Sequence, residues 1–97
     1  PFDAAAVARH AQYVEMMGKA APEGFPKGTG PDVVKNTEAK AEIWTKPAEF
    51  KKQMDSFQQE AVKLAEVAKG SDEKAIKAQV GKTAETCKAC HDEFRKD

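Results

Sequence analysis

The sequence predicts an all-α fold with its helices packed as a bundle, and three observations carry that prediction. Apolar residues recur at intervals of three and four along two long stretches, the spacing of a helix face. No stretch alternates apolar and polar residues in the way of a half-buried strand. Glycine and proline gather in one segment and otherwise fall where helical patterns begin or end.

Each element can be justified in turn. The first helix is expected from about Asp3 to Met17, with Asp3 as N-cap, because its carboxylate can accept a bond from a free backbone N–H. Val7, Ala11, Val14 and Gly18 form its narrow apolar face, and Gly18 followed by Pro22 ends the pattern. Residues 18–31 hold four glycines and three prolines and read as a loop, with Phe25 anchoring it to the core. Residues 32–44 are ambiguous, with room for a short helical turn before Ile43 and Trp44.

The second long helix is expected to start near Thr45-Lys46-Pro47, with Thr45 as cap and the proline in the first turn, where its missing N–H is not needed. Phe50, Met54, Phe57, Ala61, Leu64 and Ala68 then form an apolar seam, and Gly70 stops the helix. Ser71 or Asp72 caps the third helix, which runs from about Asp72 to Arg95. Its seam is read as Ile76, Val80, Thr83, Cys87, then Cys90 or His91, and Phe94.

Composition sets the outer limits. The chain has 97 residues, one domain by length, and its 16 Lys and Arg balance 16 Asp and Glu. A net charge of zero gives no electrostatic reason for contact with nucleic acid or an anionic membrane surface. No apolar run approaches the roughly 20 residues that cross a bilayer. Pro1-Phe2-Asp3 leads directly into helical sequence, so no signal peptide is read, and an exported form would already have lost its leader.

Cys87-Lys88-Ala89-Cys90-His91 is a C-x-x-C-H motif, the attachment pattern of a c-type haem. The chemistry needs these residues at this spacing. Each thiol adds across one haem vinyl group and leaves a thioether, and the histidine then lies beside the ring with an imidazole nitrogen for the iron. On a helix the three residues fall within about 100° of one another. That sector is also the one occupied by Ile76, Val80 and Thr83, so the motif is expected to point inward, where an apolar macrocycle belongs.

Three competing readings are weaker. A structural zinc site needs four ligands, and the motif offers three, with His10 the only other histidine. A redox dithiol expects a βαβ setting, which is absent. Two ordinary core cysteines would need no cofactor at all.

Other residues are candidates around the iron. Met16, Met17 and Met54 could each serve as a sixth ligand, although Met54 sits on the seam and packing suits all three better. His10 reads as a surface histidine. Trp44 is an aromatic for the core or for the cofactor. Arg95, one turn beyond His91, either lies near the ligand or simply favours the helix dipole. Val80, Thr83 and Phe94 share the inward sector and are expected cofactor contacts.

Several stretches together resemble the class II c-type cytochromes, the cytochrome c′ family. Pro1-Phe2-Asp3-Ala4-Ala5 is similar to the start of that family's second helix, and Gly24-Phe25-Pro26 to its Phe-Pro loop. Glu42-Ile43-Trp44 resembles its Pro-Glu-Ile-Trp segment, with Ala41 in place of the proline. Thr86 to Arg95 resembles its haem helix, close to the C-terminal end. The resemblance implies an antiparallel four-helix bundle of which this chain supplies three helices, the family's first helix being absent. It implies one covalent haem c per chain, proximal iron ligation by His91, Trp44 close to the haem, and Arg95 near the proximal face. It also implies a bacterial periplasmic location.

The function expected is that of a haem protein without enzymatic turnover, since no distal acid–base pair is visible. It would move electrons to and from redox partner proteins, or bind diatomic gases such as NO and CO at five-coordinate iron. The alternative within the family is a low-spin iron with a methionine as sixth ligand, and the segment that decides between them is the absent helix. A zinc-bound helical interaction module is the reading outside the family. A bundle built for four helices and supplied with three is expected to expose apolar residues such as Val7, Ala11 and Val14, and so to self-associate, as a homodimer or otherwise.

Overall fold

The computed structural model describes residues 2–70 and 72–96. It contains three long helices and one short one: α1 (Ala4–Ala20), α2 (Glu42–Thr45), α3 (Pro47–Val67) and α4 (Glu73–Phe94). A 3-10 turn, Ala21–Gly24, follows α1. Among the described residues the single extended pairing is an isolated antiparallel bridge between Ala39 and Arg95.

The helix ends follow local chemistry. Asp3 caps α1 by accepting a hydrogen bond from the Ala6 N–H at 3.1 Å. Asp72 caps α4 by accepting from Lys74 and Ala75. Ser71, the other candidate cap, lies outside the described residues. Two expected ends are corrected. Thr45 closes α2 rather than capping α3, whose N-cap is Lys46, with no side-chain hydrogen bond and Pro47 in the first turn. Gly18 does not stop α1, which continues to Ala20.

Gly18 has a different task. It is buried, and a Cβ built on it would lie 3.0 Å from Cε2 of Phe57. The missing side chain lets α1 approach α3 closely, and the Gly18 carbonyl accepts a 2.7 Å bond from the Gln58 side chain. Further along the same seam Ala11 is buried against Leu64, Ala65 and Ala68, with Val7 packed beside them. The expectation that Val7, Ala11 and Val14 face solvent is therefore corrected: Ala11 is buried and the two valines are half-buried, because α3 covers this face. The exposed apolar side chains of α1 are Tyr13, Met16 and Met17, on its other flank.

α3 is the central helix. It packs along α1 on one side and α4 on the other, while α1 and α4 scarcely touch. On α4 the buried stripe is Ile76, Gln79, Thr83 and Phe94. The expected seam residue Val80 is instead 44% exposed. A step of three from Ile76 places the polar Gln79 against α3, and Val80 turns toward the uncovered flank of the bundle.

Close packing at Gly18 has a measurable consequence. Gly18→Val forces a branched side chain into the Phe57 ring, and overpacking of this kind costs about 1–3 kcal/mol. Urea unfolding of the variant should show a loss of that size, and an unchanged midpoint would show that the ring yields freely.

Candidate functional site

The α3–α4 seam opens into a groove at the C-terminal end of α4. From α4 it is lined by Thr86, Cys87, Cys90, His91 and Phe94, and just beyond the helix by Arg95. From α3 it is lined by Phe50, Gln53, Met54 and Phe57. Ala21, Phe25, Ile43 and residues 38–39 of the connecting segment complete it. The volume is about 380 Å³.

Aromatic rings form the wall. Phe50 meets Phe94 edge to face at 5.2 Å between centroids, and Phe25 meets Phe50 in the same way at 5.0 Å. Edge-to-face pairs of this kind favour fixed ring orientations, so the wall is stiff as well as apolar. Phe25 thus anchors its loop, as the sequence suggests. Gly30 seats the next ring, since a Cβ there would lie 3.2 Å from the Trp44 indole.

The C-x-x-C-H residues lie as the helical spacing requires. Cys87 and Cys90 are half-buried with free thiols, His91 is exposed at the edge, and all three line the same groove. Burial first, then the charges of Glu93 and Cys87, push the Cys90 thiol above its usual range. The two intervening residues, Lys88 and Ala89, face solvent. Lys88 pairs with Asp92 at 2.7 Å, and that hydrogen bond and charge raise its ammonium pKa.

The donor set fits a covalent haem: two thiols and an imidazole on one edge of an apolar, aromatic-walled groove. It does not fit zinc, since among the described residues no three His, Cys, Asp or Glu side chains are placed to hold a metal ion.

Of the other expected contacts, Phe94 and Arg95 line the groove. Trp44 stands one ring back, 6.2 Å from Phe25, in an adjoining cavity that shares Phe25, Ile43, Phe50 and Met54. Its indole N–H donates to the Pro26 carbonyl at 3.0 Å. Thr83 is buried between α3 and α4, away from the groove, and Val80 is exposed two turns from Cys87. Met54 lines the groove, whereas Met16 and Met17 are 64% and 61% exposed and do not. His10 is at the surface, beside Tyr13.

A clamp at the groove mouth has no local signature in the sequence. Glu38 Oε2 accepts from both Nε and Nη2 of Arg95, at 3.1 and 2.9 Å. The Lys40 N–H donates to the Phe94 carbonyl at 2.8 Å, and the Lys96 N–H to the Glu38 carbonyl at 2.6 Å. Arg95 is also the C-cap residue of α4, its N–H bonded to the His91 carbonyl. Arg95 thus follows the last turn of α4 through its backbone, and its guanidinium borders the groove. Glu38 lies 57 residues away in a stretch with no periodicity, so nothing local marks the pair.

The side chains of this pair are 56% and 68% exposed. Exposed pairs contribute about 0–1 kcal/mol. Glu38→Gln should accordingly cost no more than about 1 kcal/mol in denaturant unfolding, with the difference shrinking as salt is added. A loss of several kcal/mol would mean that the pair, not the backbone bridge, holds this end of α4.

Comparison with known proteins gives a consistent picture. The model of the family described as Cytochrome C′ matches residues 1–95. A cytochrome c′ of Cereibacter sphaeroides is 43% identical over 96 residues, covering 98% of this chain and 64% of the relative. The chain thus spans a little under two thirds of that protein's length. Cytochrome c prime from Shewanella frigidimarina superposes with a TM-score of 0.88 at 41% identity, covering 100% of this chain and 73% of that one. A nitric oxide complex of a mutant cytochrome c prime from Alcaligenes xylosoxidans superposes with a TM-score of 0.89 at 32% identity, covering 100% of this chain and 72% of that one.

Proposed function

Because the chain belongs to the cytochrome c′ family, whose cofactor is a single covalent haem c, we propose that it is a periplasmic haem protein that transfers electrons and binds diatomic gases. The observation that carries this reading is the convergence of Cys87, Cys90 and His91 on one apolar groove. Cys87 and Cys90 supply the thioethers and His91 the axial imidazole. The haem, when bound, supplies one-electron chemistry and a coordination site for small ligands.

The chain's own residues set the surroundings. Phe25, Phe50, Phe57 and Phe94 exclude water from the apolar face. Arg95 places a positive charge at the rim, and Glu38 holds it there. Met16 and Met17 stand outside the groove, which removes them as sixth ligands and is consistent with five-coordinate iron. Met54, which does line it, supports a second reading, a six-coordinate His/Met electron-transfer site. Turnover is not part of the proposal: the one carboxylate among the groove residues, Glu38, is tied to Arg95. Partners would be redox proteins and NO or CO, and the exposed Tyr13, Met16 and Met17 of α1 offer a face for a second copy.

The nitric oxide complex in the structural relative belongs to that protein, and it makes gas binding the property to test here. Acid–acetone extraction of the purified protein should leave the colour with the chain, with an intact mass one haem above the polypeptide's 10.6 kDa. The reduced protein should change its visible spectrum on addition of CO and of NO. Extraction of free haem would refute covalent attachment. An unchanged spectrum with both gases would leave the six-coordinate reading, and Met54→Leu would then open the site.

A further inference from the structure

We infer that Gln79, bonded to Glu60 and backed by Thr83, sets the axial register of α4 on α3 and so positions Cys87, Cys90 and His91 against the aromatic wall. This rests on the haem reading above but concerns residues outside the groove.

The apolar seam alone specifies register weakly. On α3 it steps by four and three from Phe50 through Met54 and Phe57 to Ala61, beyond which Leu64 and Ala68 pack with Ala11 of α1. Such a repeat looks similar after a slip of one turn, about 5.4 Å along the axis. A slip of that size would carry Cys87 and Cys90 past Phe57 and Met54. The backbone bonds of residues 38–40 hold the C-terminal end of α4, and within the helix pair a buried polar group with one partner position is the best-attested device for fixing register.

Gln79 is such a group. It is 8% exposed, in the middle of the α3–α4 interface. Its Nε2 donates to the Glu60 carbonyl and to Glu60 Oε1, both at 3.1 Å. Thr83, 6% exposed, places its hydroxyl 3.3 Å from the same carbonyl and 2.9 Å from the Gln79 carbonyl. No buried side-chain nitrogen or oxygen is left unpartnered among the described residues. In the opposite direction the Gln79 hydrogen bond holds the Glu60 carboxyl below its usual range. A one-turn slip would break the three contacts to Glu60 at once; the Thr83 hydroxyl would keep its bond to the Gln79 carbonyl within α4, but the Gln79 amide would be stranded in an apolar interface, which is unfavourable. From Gln79 to Cys87 is eight residues, about 12 Å of continuous helix, so register set at one point is transmitted rigidly to the other.

The test is the haem-loaded protein carrying Gln79→Leu and Thr83→Val together, with each single variant alongside. Alkylation of unreacted thiols followed by mass analysis counts thioethers, and the ferric visible spectrum reports the iron's surroundings. Loss of register predicts that the share of chains with both cysteines attached falls at least twofold and that the ferric bands broaden or split. The denaturation midpoint should hold, because apolar groups of similar size replace the polar ones. Thr83→Ser, which keeps the hydroxyl, should restore the parent's pattern relative to Thr83→Val. Full attachment and an unchanged spectrum would overturn the inference, whether or not stability falls. Should the double variant fail to fold, Gln79→Leu alone is judged by the same criteria. A parent chain that takes up no haem would instead refute the haem reading itself.

Discussion

The packing of α4 on α3 is the interaction on which the rest of the structure depends. α3 has two working faces. One receives α1 through Ala11 and Gly18, where small residues permit close approach. The other receives α4 through Ile76, Gln79 and Thr83. Both α1 and α4 pack on α3 and scarcely touch one another. At one end of α3 Ala61, Leu64, Ala65 and Ala68 are buried, the last three against Ala11 of α1. At the other end the seam residues are Phe50, Met54 and Phe57, which line the groove, and α1 comes close to Phe57 only because Gly18 has no side chain.

That geometry suits the proposed attachment of haem through Cys87 and Cys90 at the C-terminal end of α4. A c-type haem needs two thiols and an imidazole along one edge and apolar surface for the rest of the ring. The last turns of α4 provide the edge, and the chain of edge-to-face rings from Phe25 through Phe50 to Phe94 provides the surface. Residues 38–40 run across the end of α4 and pin it by backbone hydrogen bonds, which brings Glu38 to Arg95. The clamp's strength lies in that backbone pairing, because an ion pair so exposed adds little by itself.

Much of this was legible in the sequence. The C-x-x-C-H motif, the α3 seam, the caps Asp3 and Asp72 and the anchoring role of Phe25 are all local signals, and local signals survive folding. The misreadings share one cause, that a single residue's usual habit gave way to its tertiary neighbours. Gly18 reads as punctuation, but Phe57 needs the space its side chain would fill. Val80 reads as the seam residue because it is apolar, but the polar Gln79 finds partners on Glu60 and takes the buried place. Val7 and Ala11 read as faces waiting for an absent helix, but α3 already covers them. Glu38 was invisible because its partner lies at the far end of the chain.

The central claim is that the α3–α4 groove is apolar surface completed by the haem, so that cofactor and fold stabilise one another. A group that binds the folded state and not the unfolded one raises the unfolding free energy by its binding free energy. Scanning calorimetry of the haem-loaded chain and of a haem-free chain measures this directly. The account predicts a sharp transition for the loaded protein and a broad one at clearly lower temperature for the haem-free chain. A haem-free chain that melts as sharply, and near the same temperature, would contradict it.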